Sequence, residues 1–141
     1  MSRASIILTT RTNIILRTSA CATPGSDSAK LIPATYMENI IYNELLVRGY
    51  SVDVGVVTDR RKDANSRKEI DFVVNKGDKR AYVQSAWQMN TSEKITAELD
   101  SLKLAKDFFA KIIIQNDIPS HFTDNDGIIH CNLIEFLLNP N

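Results

Sequence analysis

The order of apolar patterns along this chain predicts an α/β sandwich built around a mixed sheet. Three observations carry that expectation. Met37, Ile41 and Leu45 recur every fourth residue, with Ile40 and Val47 widening the stripe, as on the buried side of a helix. Two strand-like runs, Ile70 to Val74 and Arg80 to Trp87, are joined by Asn75-Lys76-Gly77-Asp78, a hairpin turn with its glycine in place. Lys111-Ile112-Ile113-Ile114-Gln115 is a short, unbroken apolar run of the kind a strand covered on both faces carries.

Taken in order, Ile6-Ile7-Leu8-Thr9 and Ile14-Ile15-Leu16-Arg17 echo each other and read as two strands of a hairpin around Thr12-Asn13. Thr23-Pro24-Gly25-Ser26-Asp27-Ser28 reads as a linker. The expected division is therefore a divergent N-terminal tail and linker over 1–33 and one domain over 34–141. Tyr36 to Arg48 is the first helix, and Gly49 is its natural stop. Ser51 to Val57 alternates polar and apolar residues, as a strand buried mainly on one face does. Asp59 to Lys68 is charged and holds no aliphatic residue larger than Ala64, which makes it a loop. After the hairpin, Asn90-Thr91-Ser92-Glu93 offers a cap residue and a glutamate three positions on. The helix that follows is expected to reach about Phe108, burying Ile95, Leu99, Leu102 and the stem of Lys106. Asp124-Asn125-Asp126-Gly127 is a turn, Ile128 to Cys131 a short strand, and Asn132 to Leu138 a terminal helix. The order is helix, three antiparallel strands, helix, strand, then strand and helix.

At 141 residues and 43% hydrophobic, the chain has room for one domain with a core, plus a tail. Lys and Arg number 17 and Asp and Glu number 17, so no net charge holds a polyanion nonspecifically. Nucleic-acid binding must come from a local patch, and Arg60, Arg61, Lys62, Arg67 and Lys68 supply one for phosphate backbone. Asp59 and Asp63 dilute it, and a solvated loop is the competing reading. Cys21 and Cys131 stand far apart, a poor basis for a disulfide framework, so a reducing cytoplasm is the expected compartment. The first thirty residues set Arg3, Arg11, Arg17 and Lys30 against Asp27 alone, a balance that imitates a transit peptide; Arg11 and Thr9-Thr10 break any apolar signal core. No apolar run approaches the ~20 residues a membrane-spanning helix needs, so no membrane partner is expected. His121, His130, Cys131 and Cys21 lack zinc spacing, and His130 and Cys131, adjacent on a strand, point to opposite faces. Ala29-Lys30-Leu31 stands where a phosphate loop needs Gly-Lys-Ser/Thr, so this chain is not expected to bind ATP. Trp87 is expected in the core or against the second helix.

Several unlike motifs then appear in one order: Glu38-Asn39-Ile40-Ile41-Tyr42-Asn43-Glu44-Leu45, Arg48-Gly49-Tyr50, Glu69-Ile70-Asp71-Phe72-Val73, Tyr82-Val83-Gln84-Ser85-Ala86 and Ile134-Glu135-Phe136-Leu137-Leu138. Together they closely resemble a bacterial family of unknown function that forms the C-terminal domain of AAA-type ATPases and belongs to the PD-(D/E)XK nuclease-like superfamily. The resemblance covers Tyr36 to the end; residues 1 to about 33 do not share it, and the ATPase domain is absent from this chain. The first helix also looks like that of archaeal Holliday-junction resolvases, which carry a glutamate at the place of Glu38, the same distance before the glycine of Gly49.

The resemblance implies a restriction-endonuclease-like fold. In an active member, an aspartate on the second strand and a glutamate on the third converge on a divalent cation that polarises phosphate and activates water. A lysine two residues beyond the glutamate, on the same strand face, stabilises the developing charge, and a glutamate on the first helix completes the site. Glu38, Asp71, Gln84 and Ala86 occupy those four places here. Gln84 keeps only a neutral carbonyl, which is a poor ligand for Mg²⁺, and Ala86 offers nothing. Lys68 and Lys79 are the candidate substitutes for the lost lysine. Ordinary structural duties compete with these roles: a strand-end cap for Asp71, and a first-turn carboxylate favoured by the helix dipole for Glu38. The resulting expectation is a catalytically degenerate nuclease-like module that acts in protein or nucleic-acid interaction, with DNA, RNA, a protein or a second copy as partner and no cofactor. The alternatives are an active Mg²⁺-dependent DNA or RNA endonuclease with a relocated lysine, and a gene fragment whose product has no selected function.

Overall fold

The apolar runs of the sequence become strands of one seven-stranded sheet. The computed structural model describes residues 6–9, 28–58 and 67–139. Along the chain these form β1 (Ile6–Thr9), α1 (Ser28–Val47), β2 (Ser51–Thr58), β3 (Arg67–Lys76), β4 (Lys79–Ala86), α2 (Ser92–Leu104), β5 (Ala110–Gln115), β6 (Phe122–Thr123), β7 (Ile129–Asn132) and α3 (Leu133–Leu138). Across the sheet the order is β1-β2-β3-β4-β5-β7-β6. The first four strands are antiparallel, β4, β5 and β7 run parallel, and β6 closes the edge antiparallel to β7.

Side-chain alternation divides the core into two layers. Phe72, Val74, Val83 and Ile114 face α1 and α3, where Met37, Ile41, Leu45 and Leu133 meet them. Ile70, Val73, Tyr82 and Ile113 face α2, where Leu99 and Leu102 meet them. The helix stripe Met37, Ile41 and Leu45 is buried as its spacing predicts. Gly49 ends α1 at φ +80°, with its own N–H on the Leu46 carbonyl and that of Tyr50 on the Leu45 carbonyl, the paired bonds of a left-handed helix stop.

Several boundaries differ from the sequence expectation. α1 begins at Ser28, not Tyr36, so the expected limit between 33 and 34 falls inside it; Pro33 removes one backbone donor without ending the helix. Ile6–Thr9 pairs with Thr9↔Val54 through Ile6↔Val57 on the edge of β2. Its expected hairpin mate, residues 14–17, and the linker over 23–27 lie outside the described residues. Arg67 and Lys68, assigned to a loop, open β3 opposite Thr58 and Val57. α2 is capped by Thr91 rather than Asn90, its hydroxyl accepting from the Lys94 N–H, and it stops at Leu104 instead of Phe108. The early stop has a tertiary cause: the chain turns out so that the Asp107 carboxylate accepts from the Tyr82 hydroxyl at 2.7 Å. Ile95, expected inside, is 39% exposed, and Lys106 is exposed, because α2 rests on the narrower stripe of Leu99, Ser101 and Leu102. Trp87 packs on the α1 side of the sheet rather than against α2. β6 had no sequence signal; it stands where Phe122 stacks on His130 with ring centroids 4.3 Å apart. Among the described residues, no helix is long and apolar enough to cross a membrane.

Candidate functional site

The site begins with an irregularity in β3. Two steps along β2, from Asp53 to Gly55, face three steps along β3, from Val73 to Ile70, so β3 carries an extra residue next to Asp71. Its pairing with β4 runs from Lys76↔Lys79 to Phe72↔Val83. Beyond that pair, side chains carry the cross-strand bonds. The Ser85 N–H donates to Asp71 Oδ2 at 2.8 Å, and the Asp71 N–H donates to Gln84 Oε1 at 3.3 Å.

Alternation along β4 turns Gln84 and Ala86 to the face that α2 covers. There the Gln84 amide donates through Nε2 to Glu98 Oε2 at 3.2 Å, and the Ser101 hydroxyl lies 3.4 Å from Gln84 Oε1. Gln84 is thus buried with both ends of its amide engaged, joining β3, β4 and α2. Its orientation follows from its partners, since the Asp71 N–H can only donate and a carboxylate oxygen needs a donor. Burial raises the Glu98 carboxyl above its ordinary range, against the Gln84 bond and the nearby Lys94 charge, which lower it.

Glu38 from α1, Asp71 and Gln84 line one cleft of about 230 Å³, together with Trp87, Lys94 and Glu98. Ala86 lies in its wall and in the α2-side core, 3% exposed. Neither lysine expected to substitute there lines the cleft. The Lys68 ammonium is held by Asp100 Oδ2 at 2.6 Å in the wall of a separate groove. Lys79 is exposed beside the β3–β4 turn, at the opposite end of β4 from Ala86. The lysine that does line the cleft is Lys94, one helical turn before Glu98. The sequence reading missed both residues. Their signal was the helix phase: with Leu99 and Leu102 on the sheet, Lys94, Glu98 and Ser101 form the neighbouring row, and Glu98 and Ser101 meet Gln84.

Arg60, Arg61 and Lys62 lie outside the described residues; Arg67 is exposed at the start of β3, Lys68 is paired with Asp100, and neither of these two lines the cleft.

The donor set does not fit the Mg²⁺ that the sequence resemblance implies. Mg²⁺ takes oxygen ligands, mainly carboxylate and water. The Gln84 oxygen is committed to the Asp71 N–H, and the rest of its amide presents N–H groups, which repel a cation. Among the described residues, no group of three or more His, Cys, Asp or Glu is arranged to hold a metal ion.

A family described as "Domain of unknown function (DUF4143)" matches residues 34–134, a span that contains Glu38, Asp71, Gln84, Lys94 and Glu98. A Haemophilus influenzae relative named "Uncharacterized protein" is 39% identical over 105 residues, which are 74% of this chain and 23% of the relative. The chain thus spans less than a quarter of that protein's length. No solved structure matches the chain.

Proposed function

This chain belongs to the DUF4143 family, and we propose that it is a catalytically degenerate member of the PD-(D/E)XK nuclease-like superfamily, a module of the kind that ends bacterial AAA-type ATPases. Its work is interaction, with a protein or a nucleic acid, not hydrolysis. The observation that carries this reading is the Gln84 amide, bonded to the Asp71 N–H and to Glu98 at the position where a nuclease needs a charged ligand. Ala86, packed into the core two residues on, lacks the amine that would stabilise a pentavalent phosphate. The arrangement of three antiparallel strands followed by a helix and a parallel strand supports the superfamily assignment, as does the meeting of Glu38, Asp71 and Gln84 in one cleft.

The test is a cleavage assay on single- and double-stranded DNA and on RNA with Mg²⁺ or Mn²⁺, using the whole chain and its Asp71→Ala variant. The two should be equally inactive. One observation favours the rival reading of an active nuclease: Lys94 reaches the cleft from α2 and could serve as a relocated amine. Cleavage lost in both Asp71→Ala and Lys94→Ala would establish that reading and overturn the first.

A further inference from the structure

We propose that the Gln84 side chain holds the place of a cation: it is a neutral cross-link that keeps β3, β4 and α2 together around Asp71 and Glu98 without a metal. The inference rests on reading the cleft as a former nuclease site, and it assigns a role to Glu98, which that reading alone does not need.

The argument is one of charge and valence. A divalent cation held between β3, β4 and α2 would attract every oxygen nearby. In its place, Gln84 meets each neighbour with the matching half of an amide. Its oxygen receives the Asp71 N–H at 3.3 Å, and its NH₂ group gives a hydrogen to Glu98 Oε2 at 3.2 Å. The Ser101 hydroxyl, 3.4 Å from the same Gln84 oxygen and 3.3 Å from the Glu98 carbonyl, ties that contact to the backbone of α2. No buried side-chain nitrogen or oxygen among the described residues lacks a hydrogen-bond partner. A carboxylate at position 84 would keep the bond from Asp71 but would set two negative oxygens at hydrogen-bond distance, an arrangement that needs a shared proton or a cation.

The test is thermal unfolding of the whole chain at one mildly alkaline pH, with EDTA or with Mn²⁺. Wild type should unfold at the same temperature in both. Gln84→Glu should unfold several degrees lower in EDTA and recover most of that loss in Mn²⁺. The double variant Gln84→Glu/Glu98→Gln exchanges the amide and the carboxylate; it should regain the wild-type midpoint in EDTA and lose the Mn²⁺ response. If Gln84→Glu does not fold in EDTA, the double variant still decides, because it folds only if the exchanged pair rebuilds the link. A wild-type midpoint raised by Mn²⁺, a Gln84→Glu protein as stable as wild type, a Gln84→Glu loss that Mn²⁺ does not repair, or a double variant no better than the single would each overturn the proposal. Nucleic-acid cleavage by wild type would overturn the functional reading instead, and the two failures are read in different assays.

Discussion

The guanidinium of Arg48 lies 4.3 Å above the ring of Phe136 and donates to that residue's own carbonyl oxygen. A second nitrogen donates to the Asn139 carbonyl at 3.1 Å, and Nε is paired with Glu44 Oε1 at 2.8 Å. The end of α1 thereby caps the end of α3, a helix of six residues that is too short to hold its own shape. Lysine carries one compact charge and cannot stack and fork at once. Arg48→Lys should cost about 1–3 kcal/mol, the worth of hydrogen bonds to a charged group. Urea unfolding measures the loss, and amide exchange should show it concentrated in residues 133–138.

A methyl group on Gly55 would sit 2.8 Å from Val73 Cγ2 and 3.2 Å from Ile70 Cβ, and both neighbours are fully buried. Gly55→Ala should therefore destabilise the fold by about 1–3 kcal/mol through overpacking. Adding Val73→Ala opens the clash, so the double variant should lose less than the sum of the two single losses. Four thermal or chemical unfolding curves complete this cycle.

Because burial raises the Glu98 carboxyl, the native state holds that proton more tightly than the unfolded chain does. Wild type should lose stability as pH rises from the ordinary carboxylate range through the raised value, and the loss should be complete above it. Glu98→Gln can accept the same bond from Gln84 and has nothing to ionise. Relative to wild type, it should gain stability between mildly acidic and alkaline solution. Parallel stability curves for the two proteins would refute this assignment of the shift.

Asp124 has the opposite sign. Burial pushes its carboxyl up, but the Ile128 N–H, His130 and the Asp126 N–H together hold it below its ordinary value. Its contribution is present above the unfolded value and disappears as pH falls through the lowered one. Asp124→Ala should cost about 1–2 kcal/mol at neutral pH, from bonds lost at a turn that two backbone donors share. The gap from wild type should narrow in acid, which unfolding at both pH values will test.

What could be read from the sequence was what short range determines. Met37, Ile41 and Leu45 share one helix face, and the β3–β4 turn brings Asp71 beside Gln84 through a hairpin whose register the chain itself sets. Long-range fit determined the rest. Glu98 and Lys94 reach the cleft because α2 docks across the sheet beside β4; their helix phase next to Leu99 and Leu102 was a local sign, but where the helix docks is a long-range matter. The end of α2 was misplaced because its sequence remains helix-compatible past Leu104, while the bond from Tyr82 to Asp107 draws the chain away. Lys68 and Lys79 stand on the strands that carry Asp71 and Gln84, yet the lysine that lines the cleft, Lys94, comes from the helix that follows.

The two-residue connection between β3 and β4 and the long crossover through α2 to β5 differ in more than geometry. A hairpin closes a short loop and forms in microseconds; parallel pairing must first bring distant segments together against chain entropy. On these grounds the antiparallel β2–β3–β4 meander is expected to form first, and β5 and β7 to join it later. The cleft belongs to both stages. In that order Asp71 and Gln84 are expected to come together with the hairpin, and Glu98 to complete the Gln84 amide's bonding only when α2 docks.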